Sequence, residues 1–362
     1  MRTKNFTLVL FLSLTFSFIW FSADARPPRP EDKLPTIAIL ATGGTIAGSA
    51  ESGTQAGYSS GQVGVEILID AVPELKKLAN IIGEQIANVG SQNMSDDVWL
   101  KLAKRINELL SKNDVDGVVI THGTDTMEET AFFLNMVIKS KKPVVLTGSM
   151  RPSTAMSADG PLNIYNAVAV AADPESVGKG VMVVANDQIH SARDITKTST
   201  TAVETFKSPL KGILGNVAYG TVYYYRNTIK PHTADTEFKI DNDLNALPRV
   251  DIIFVHEDIP GYLIDASVET GAKGIVTAGV GNGNLTDAAV EALDRAREAG
   301  VLVVRASRVP TGIVERNIEL NDDELEFIAS LDFSPQKARI LLRLALMQTN
   351  NWEEIQDMFA KY

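Results

Sequence analysis

The run Thr36-Ile-Ala-Ile-Leu-Ala41 is almost wholly apolar and is cut off at once by Gly43-Gly44. So short a run, with no polar alternation, is the pattern of a strand buried on both faces of a parallel sheet. Adjacent glycines let the chain turn tightly and approach a neighbouring backbone closely. Thr45 therefore lies just beyond a strand's carboxyl end, where ligands bind in open α/β sheets. The turn is not a phosphate loop, because no Lys-Ser/Thr follows. It is not a dinucleotide fingerprint either, because Gly43, Gly44 and Gly48 are misspaced. Taken alone, it reads more readily as a plain tight connection than as a functional hydroxyl.

The same grammar recurs. Ile86–Val89 ends in Gly90-Ser91-Gln92-Asn93, and Asp116–Thr121 delivers His122-Gly-Thr-Asp-Thr126. Pro143–Thr147 ends in Gly148-Ser149-Met150, and Gly180–Ala185 ends in Asn186-Asp187. Helical patterns mostly follow. Gly64–Leu78 is one, broken by Pro73. A second is capped by Ser95, with Asp96 and Asp97 in its first turn. The third, Thr126–Lys139, is announced by Asp125 and Glu128 at capping-box spacing. This is the βαβ alternation of a parallel, doubly wound sheet. Thr45, Ser91-Gln92, Thr124-Asp125 and Ser149 all fall at strand carboxyl ends and are expected on one rim. Ser49–Gly61 is polar and long enough to be a lid or binding loop, and Tyr58 is its only aromatic residue. Ser149 and Met150 need do no more than shape a pocket, and His122 reads as a hydrogen-bonded core residue rather than a catalyst.

Gln188–Lys207 leaves the alternation and is dense in Thr and Ser, with Arg193, Asp194 and Lys197. Tyr219–Arg226 reads as an extended edge or hairpin. The alternation resumes with strands at Val250–His256, Gly274–Ala278 and Val301–Ala306, and helices at Ser334–Gln348 and Asn351–Lys361. The expected fold is two α/β domains with mainly parallel sheets. The larger N-terminal catalytic domain spans 34–227, a linker spans 228–248, and the smaller C-terminal domain spans 249–362. Residues 1–25 read as a signal peptide, with Arg2 and Lys4 before an apolar run and a small-x-small cleavage site at Ala23-Asp24-Ala25. An uncleaved anchor is the competing reading, disfavoured because the run is short for a span of about 20 residues. Residues 26–33 form a stiff, Pro-rich leader expected to be disordered.

Charge and composition exclude several functions. Removing Arg2, Lys4 and Asp24 from 34 basic and 45 acidic residues leaves 32 and 44, a net charge of −12. That speaks against non-specific nucleic-acid binding. With no cysteine, thiol chemistry is excluded, and the four histidines, His122, His190, His232 and His256, lack metal-ligand spacing. No Gly-x-Ser-x-Gly elbow is present. The rim instead offers threonine hydroxyls, a carboxylate and a lysine. A threonine hydroxyl is a weak nucleophile until a neighbour takes its proton. Lys197, desolvated near Thr124 and Asp125, is a candidate base or relay. Backbone N–H groups in the Gly-rich turns suit an oxyanion. The parts fit acyl transfer, although spacing alone does not bring them together.

Three motifs carry a resemblance: Ala41-Thr-Gly-Gly-Thr-Ile-Ala47, Thr121-His-Gly-Thr-Asp-Thr-Met-Glu-Glu-Thr130 and Gly148-Ser-Met-Arg-Pro-Ser-Thr-Ala-Met-Ser-Ala-Asp-Gly160. With Arg193–Lys197, Ala278–Asn284 and Arg308–Gly312, they resemble the signatures of bacterial type II L-asparaginases, and the likeness runs from about Leu34 to Tyr362. The resemblance implies a periplasmic amidohydrolase that needs no cofactor and no metal. It would act on L-asparagine and less on L-glutamine, as a homotetramer built from intimate dimers, with no stable membrane anchor after cleavage. By the same resemblance Thr45 is the nucleophile, with Tyr58 beside it. Thr124, Asp125 and Lys197 form the second catalytic group. Ser91 and Gln92, with Thr124 and Asp125, bind substrate, and Asn284 and Glu319 are supplied by the neighbouring subunit. Ile313–Ile318 departs from the family pattern just before Glu319, and relatives with a disulfide differ from this cysteine-free chain.

Two rivals belong to other classes. A periplasmic amino-acid-binding protein also has two α/β domains and a closing cleft, but needs no nucleophile. A nicotinamide-dependent dehydrogenase is disfavoured by the misspaced glycines. Arg308-Val-Pro-Thr-Gly312 resembles the asparagine-selective branch of the family more than the dual-specificity one.

Overall fold

Every second residue of the first strand, β1 (Thr36–Gly43), goes to a different core. Ala38 and Leu40 face one, and Ile37, Ile39 and Ala41 face the other. That two-sided burial is what an unbroken apolar run demands of a strand with period two. The computed structural model describes residues 33–48 and 64–362. Residues 1–25, read as a signal peptide, nearly all of the leader, and Tyr58 with the whole of its Ser49–Gly61 loop lie outside these residues. Leu34–Tyr362 forms one compact unit that holds two main sheets.

The larger sheet continues with β2 (Asn80–Val89), β3 (Gly117–Thr121), β4 (Val144–Thr147), β5 (Val181–Ala185) and β6 (Gln188–Ser191). A separate ribbon pairs β7 (Thr196–Lys197) with β8 (Phe206–Lys207), and the hairpin β9 (Gly215–Ala218) and β10 (Thr221–Tyr224) completes the large sheet. Its order is β10-β9-β6-β5-β4-β3-β1-β2. β1 to β5 are parallel, and β6, β9 and β10 add antiparallel pairs at the far edge. The Tyr219–Arg226 stretch thus supplies one arm of an edge hairpin. From β1 the chain steps outward to β2, then returns to lay β3 on β1's other side. The strand order reverses there, and the carboxyl ends of β1 and β3 flank a crevice at the switch point.

Helices cover both faces. α1 (Val65–Asp70) follows the segment outside the described residues, and a 3₁₀ turn, Pro73–Lys77, succeeds it. The expected Gly64–Leu78 helix is therefore split at the proline, which lacks the N–H to continue it. α2 (Asp96–Ser111) starts at Ser95, whose hydroxyl accepts from Val98 N at 3.5 Å. α3 (Met127–Val137) and α4 (Gly160–Ala172) follow. α2 and α3 pack on the Leu40 side of the sheet, and α1 and α4 on the Ile39 side. The capping box expected at α3 does not form. Its N-cap is Thr126 without a side-chain bond, because Asp125 and Glu128 both turn to Lys197 instead.

The smaller sheet is parallel: β11 (Val250–Phe254), β12 (Gly274–Gly279), β13 (Leu302–Ser307) and β14 (Ile328–Ala329). α5 (Tyr262–Glu269) and α6 (Asp287–Glu298) pack on its Ile253–Ile275–Val303 face. α7 (Asp322–Leu325) is short. α8 (Pro335–Ala345), capped by Ser334, and α9 (Trp352–Lys361) end the chain. α8 contacts both α3 and β11–β13, so one apolar core runs from the larger sheet through α8 into the smaller one. Among the described residues no helix is long and apolar enough to cross a membrane.

Candidate active site

Backbone contact brings the turns together at the switch point. Gly43 and Gly44 have φ of +108° and +83°, conformations that side chains resist. A Cβ on Gly44 would fall on the N and Cα of Gly123, and one on Gly43 would lie 2.5 Å from Val89 O. The residue before Thr45 thus presses directly on the residue before Thr124. Thr45 opens one buried 3₁₀ turn, Thr45–Ala47, closed by Gly48 N donating to Thr45 O at 2.8 Å. The β2 end joins from the other side. A Cβ on Gly123 would meet Ser91 Oγ at 2.6 Å, and Ser91 Oγ accepts from Asp125 N at 3.2 Å. The expectation of one rim is realised for Thr45, Ser91, Thr124 and Asp125.

Lys197 reaches this rim from outside the βαβ pattern. Its Nζ donates to Thr124 Oγ1 at 3.0 Å and to Asp125 Oδ1 at 2.7 Å. Thr124 is buried, whereas the Asp125 side chain is 60% exposed and Lys197 17%. The buried hydroxyl therefore sits beneath an ion pair that opens to solvent. Because Lys197 donates to Thr124 Oγ1, that hydroxyl's own hydrogen is left for another acceptor.

Other expected residues lie around this centre. Gln92 is exposed, its amide folded back over Gly90. Ser149 is buried and donates to Arg151 O at 2.7 Å, while Met150 N donates to Asp159 Oδ2 at 2.9 Å. His122 Nδ1 donates to Gly123 O at 2.7 Å, and burial pushes its pKa down to about 4, so the ring is neutral and braces the turn. Asn284 and Glu319 are on the smaller domain. Asn284 Nδ2 donates to Glu319 Oε2 at 2.6 Å, and among the described residues no hydrogen bond joins either to Thr124, Asp125 or Lys197. Their loops are gathered by Arg305, which is buried in a two-pronged pair with Asp322 and donates to the carbonyls of Asn282, Gly283 and Glu315.

The residues that hold Lys197 were not foreseen. Glu128 Oε2 accepts from Lys197 N at 2.8 Å. Lys337 Nζ donates to Arg193 O at 2.8 Å and Ile195 O at 2.5 Å. Arg193 grips Asp332 at 2.7 and 2.9 Å and stacks over Phe333. Spacing of Asp125 and Glu128 was a signal, attached to the wrong partner.

Two family models match in tandem: the N-terminal asparaginase model over residues 36–230 and the glutaminase/asparaginase C-terminal domain over residues 249–359. The chain belongs to the asparaginase family. A family member named probable L-asparaginase periplasmic, from Haemophilus influenzae, is 53% identical over 91% of this chain and 93% of its own length. L-asparaginase 2 of Bacillus subtilis is 51% identical over 99% of this chain and all of its own length. A glutaminase-asparaginase of Pseudomonas fluorescens is 46% identical over 94% of both chains. Among solved structures, one described as a probable cytoplasmic L-asparaginase from Campylobacter jejuni superposes with a TM-score of 0.88. It is 49% identical and covers 91% of this chain and 100% of that one. Both domains of this asparaginase-family chain are thus accounted for, and the solute-binding and dehydrogenase readings lose their footing.

Proposed function

We propose that the chain hydrolyses L-asparagine to L-aspartate and ammonia through a covalent intermediate on Thr45. The observation that carries this reading is the Lys197–Thr124–Asp125 row beside the Gly44–Gly123 contact. In the first half-reaction Thr45 Oγ attacks the side-chain amide carbon and gives up its proton. The C–N bond breaks, the leaving nitrogen takes a proton, and ammonia departs. In the second, water adds to the Thr45 ester, aspartate leaves and the hydroxyl regains its proton. Thr124, held by Lys197, is the proton-bearing group that faces these steps. Tyr58, outside the described residues, joins Thr45 on the family pattern alone. Ser91, Gln92 and Asp125 bind the α-carboxylate and α-amino groups, and Asn284 and Glu319 complete a neighbour's site in a homotetramer.

Asparagine is the preferred amide in this reading. Relatives named L-asparaginase stand at 51% and 53% identity, against 46% for the glutaminase-asparaginase. One methylene separates substrates by only about 1–3 kcal/mol, so glutamine is cleaved more slowly rather than refused. Steady-state ammonia release from both amides by purified protein tests the reading. Thr45→Ala is expected to lose several orders of magnitude in kcat while still binding aspartate. Near-normal turnover in that variant removes Thr45 from the mechanism, and equal kcat/KM for both amides removes the selectivity. The periplasmic name of one relative supports export, whereas another relative is described as cytoplasmic; cleavage after Ala25 rests on the Ala23-Asp24-Ala25 motif alone. Exported protein should begin at Arg26, and a chain recovered intact in the membrane would overturn this.

A further inference from the structure

Lys197 lies in a two-residue strand that, among the described residues, pairs only with Phe206–Lys207, so the sheet does little to set where its ammonium falls. Its long side chain carries several rotatable bonds, whose freedom opposes a single placement. We infer that Glu128 positions Lys197: by accepting its backbone N–H, Glu128 sets the reach of the ammonium to Thr124 and Asp125. This rests on the reading of Lys197 as a catalytic group.

The geometry is that of a clamp. Asp125 takes the Nζ of Lys197 at 2.7 Å and Glu128 Oε2 takes its amide at 2.8 Å, so both ends of one residue are held from one short stretch. Thr124, the hydroxyl that Lys197 serves, belongs to that stretch. Placement of Lys197 is therefore referred directly to the group it acts on, not to the distant strands.

Glu128 is itself buried, and a buried carboxylate needs partners to stay there. Its Oε1 accepts from Gln336 Nε2 at 3.4 Å, and the Lys337 charge lies within its field. Lys337, also buried, donates to the Arg193 and Ile195 carbonyls, fixing the segment that leads into Lys197. Two buried, opposite charges thus hold the polar backbone of this segment, one at an N–H and one at two C=O groups. Helix capping does not explain Glu128, since α3 has no side-chain cap.

Reach and charge can be separated. Glu128→Asp keeps the charge beside Lys337 but withdraws the carboxylate by one methylene, whereas Glu128→Gln keeps the length and an acceptor oxygen. With asparagine as substrate, Glu128→Asp is expected to lower kcat about 10–100-fold, as misplacement of a catalytic group by about 1 Å does. KM should change less than about threefold, and the urea midpoint little. Glu128→Gln should keep kcat within about threefold. In a Lys197→Met background, Glu128→Asp should cost nothing more, because its effect runs through Lys197. A wild-type kcat in Glu128→Asp overturns the inference, as does a full multiplicative loss on top of Lys197→Met. A folded Glu128→Gln with kcat down more than about tenfold overturns it too, whether or not Glu128→Asp folds. Wild-type kcat in Lys197→Met is a distinct result: it removes Lys197 from the chemistry and the inference with it.

Discussion

His122 and His190 are sealed from water in the larger domain, and burial pushes both pKa values down to about 4. Each keeps a partner for Nδ1, Gly123 O for one and Ser208 Oγ for the other, while Nε2 is buried without one. The folded state therefore prefers the neutral ring. Between roughly pH 6.5 and 4 the unfolded chain binds a proton at each site that the folded chain declines. Their stabilisation is full above the ordinary histidine pKa and is lost as pH falls towards 4. At pH 5 the loss is roughly 2 kcal/mol per histidine by this linkage. His190→Gln, away from the proposed nucleophile, should shrink the drop in unfolding free energy between pH 7 and pH 5 by about that amount. Urea unfolding at the two pH values measures it, and an unchanged drop in the variant would show that His190 is not the cause.

At the scale of elements, the Gly43-Gly44 turn was legible because an apolar strand that stops at two glycines allows few continuations. Gly44 and Gly271 separate two reasons for glycine. Both have positive φ, +83° and +91°, but a Cβ at Gly44 would strike Gly123 while one at Gly271 meets nothing within 4 Å. Gly271→Ala should cost about 1–2 kcal/mol of stability, the strain of an L-residue in that region, and leave kcat intact. Gly44→Ala should cost more and should also depress kcat, because it forces apart the turns that carry Thr45 and Thr124. Equal stability loss and normal kcat in both variants would contradict the proposed role of that contact. The other buried strands were legible for the same reason as β1. What escaped has a common cause. The outer half of β2 is largely exposed, and its apolar pair Ile81-Ile82 is followed at once by Gly83-Glu84-Gln85, so the strand was legible only from Ile86. Lys337 and Arg305 look like surface positions in a sequence. The carbonyl that Lys337 serves at Arg193 is 144 residues away, and Arg305 is covered by the short helix that presents Asp322. Asp125 and Glu128 had the right spacing for a local cap, but a lysine delivered by the tertiary fold outcompeted it.

Across the whole molecule, the larger sheet's rim holds Thr45, Thr124, Asp125 and Lys197, whereas Asn284 and Glu319 stand together on the smaller domain, Glu319 exposed. Arg305 holds the carbonyls of Asn282, Gly283 and Glu315, tying together the loops that lead into this second pair. A hydrogen-bonded polar pair with Glu319 on the surface fits the proposal that Asn284 and Glu319 complete a neighbouring subunit's site, each subunit serving the other across a two-fold axis. Two inactive variants, Thr45→Ala and Glu319→Ala, test this when unfolded and refolded together. In a mixed pair, one site would carry both substitutions, and the other would join an intact Thr45 to an intact Glu319. Random pairing makes about half the pairs mixed, so roughly a quarter of all sites should regain activity. If Glu319 serves its own subunit, every site carries one lesion and mixing restores nothing. Ammonia release after refolding, with mixed oligomers confirmed by mass and each variant folded alone, distinguishes the two, and no recovery would end the shared-site proposal.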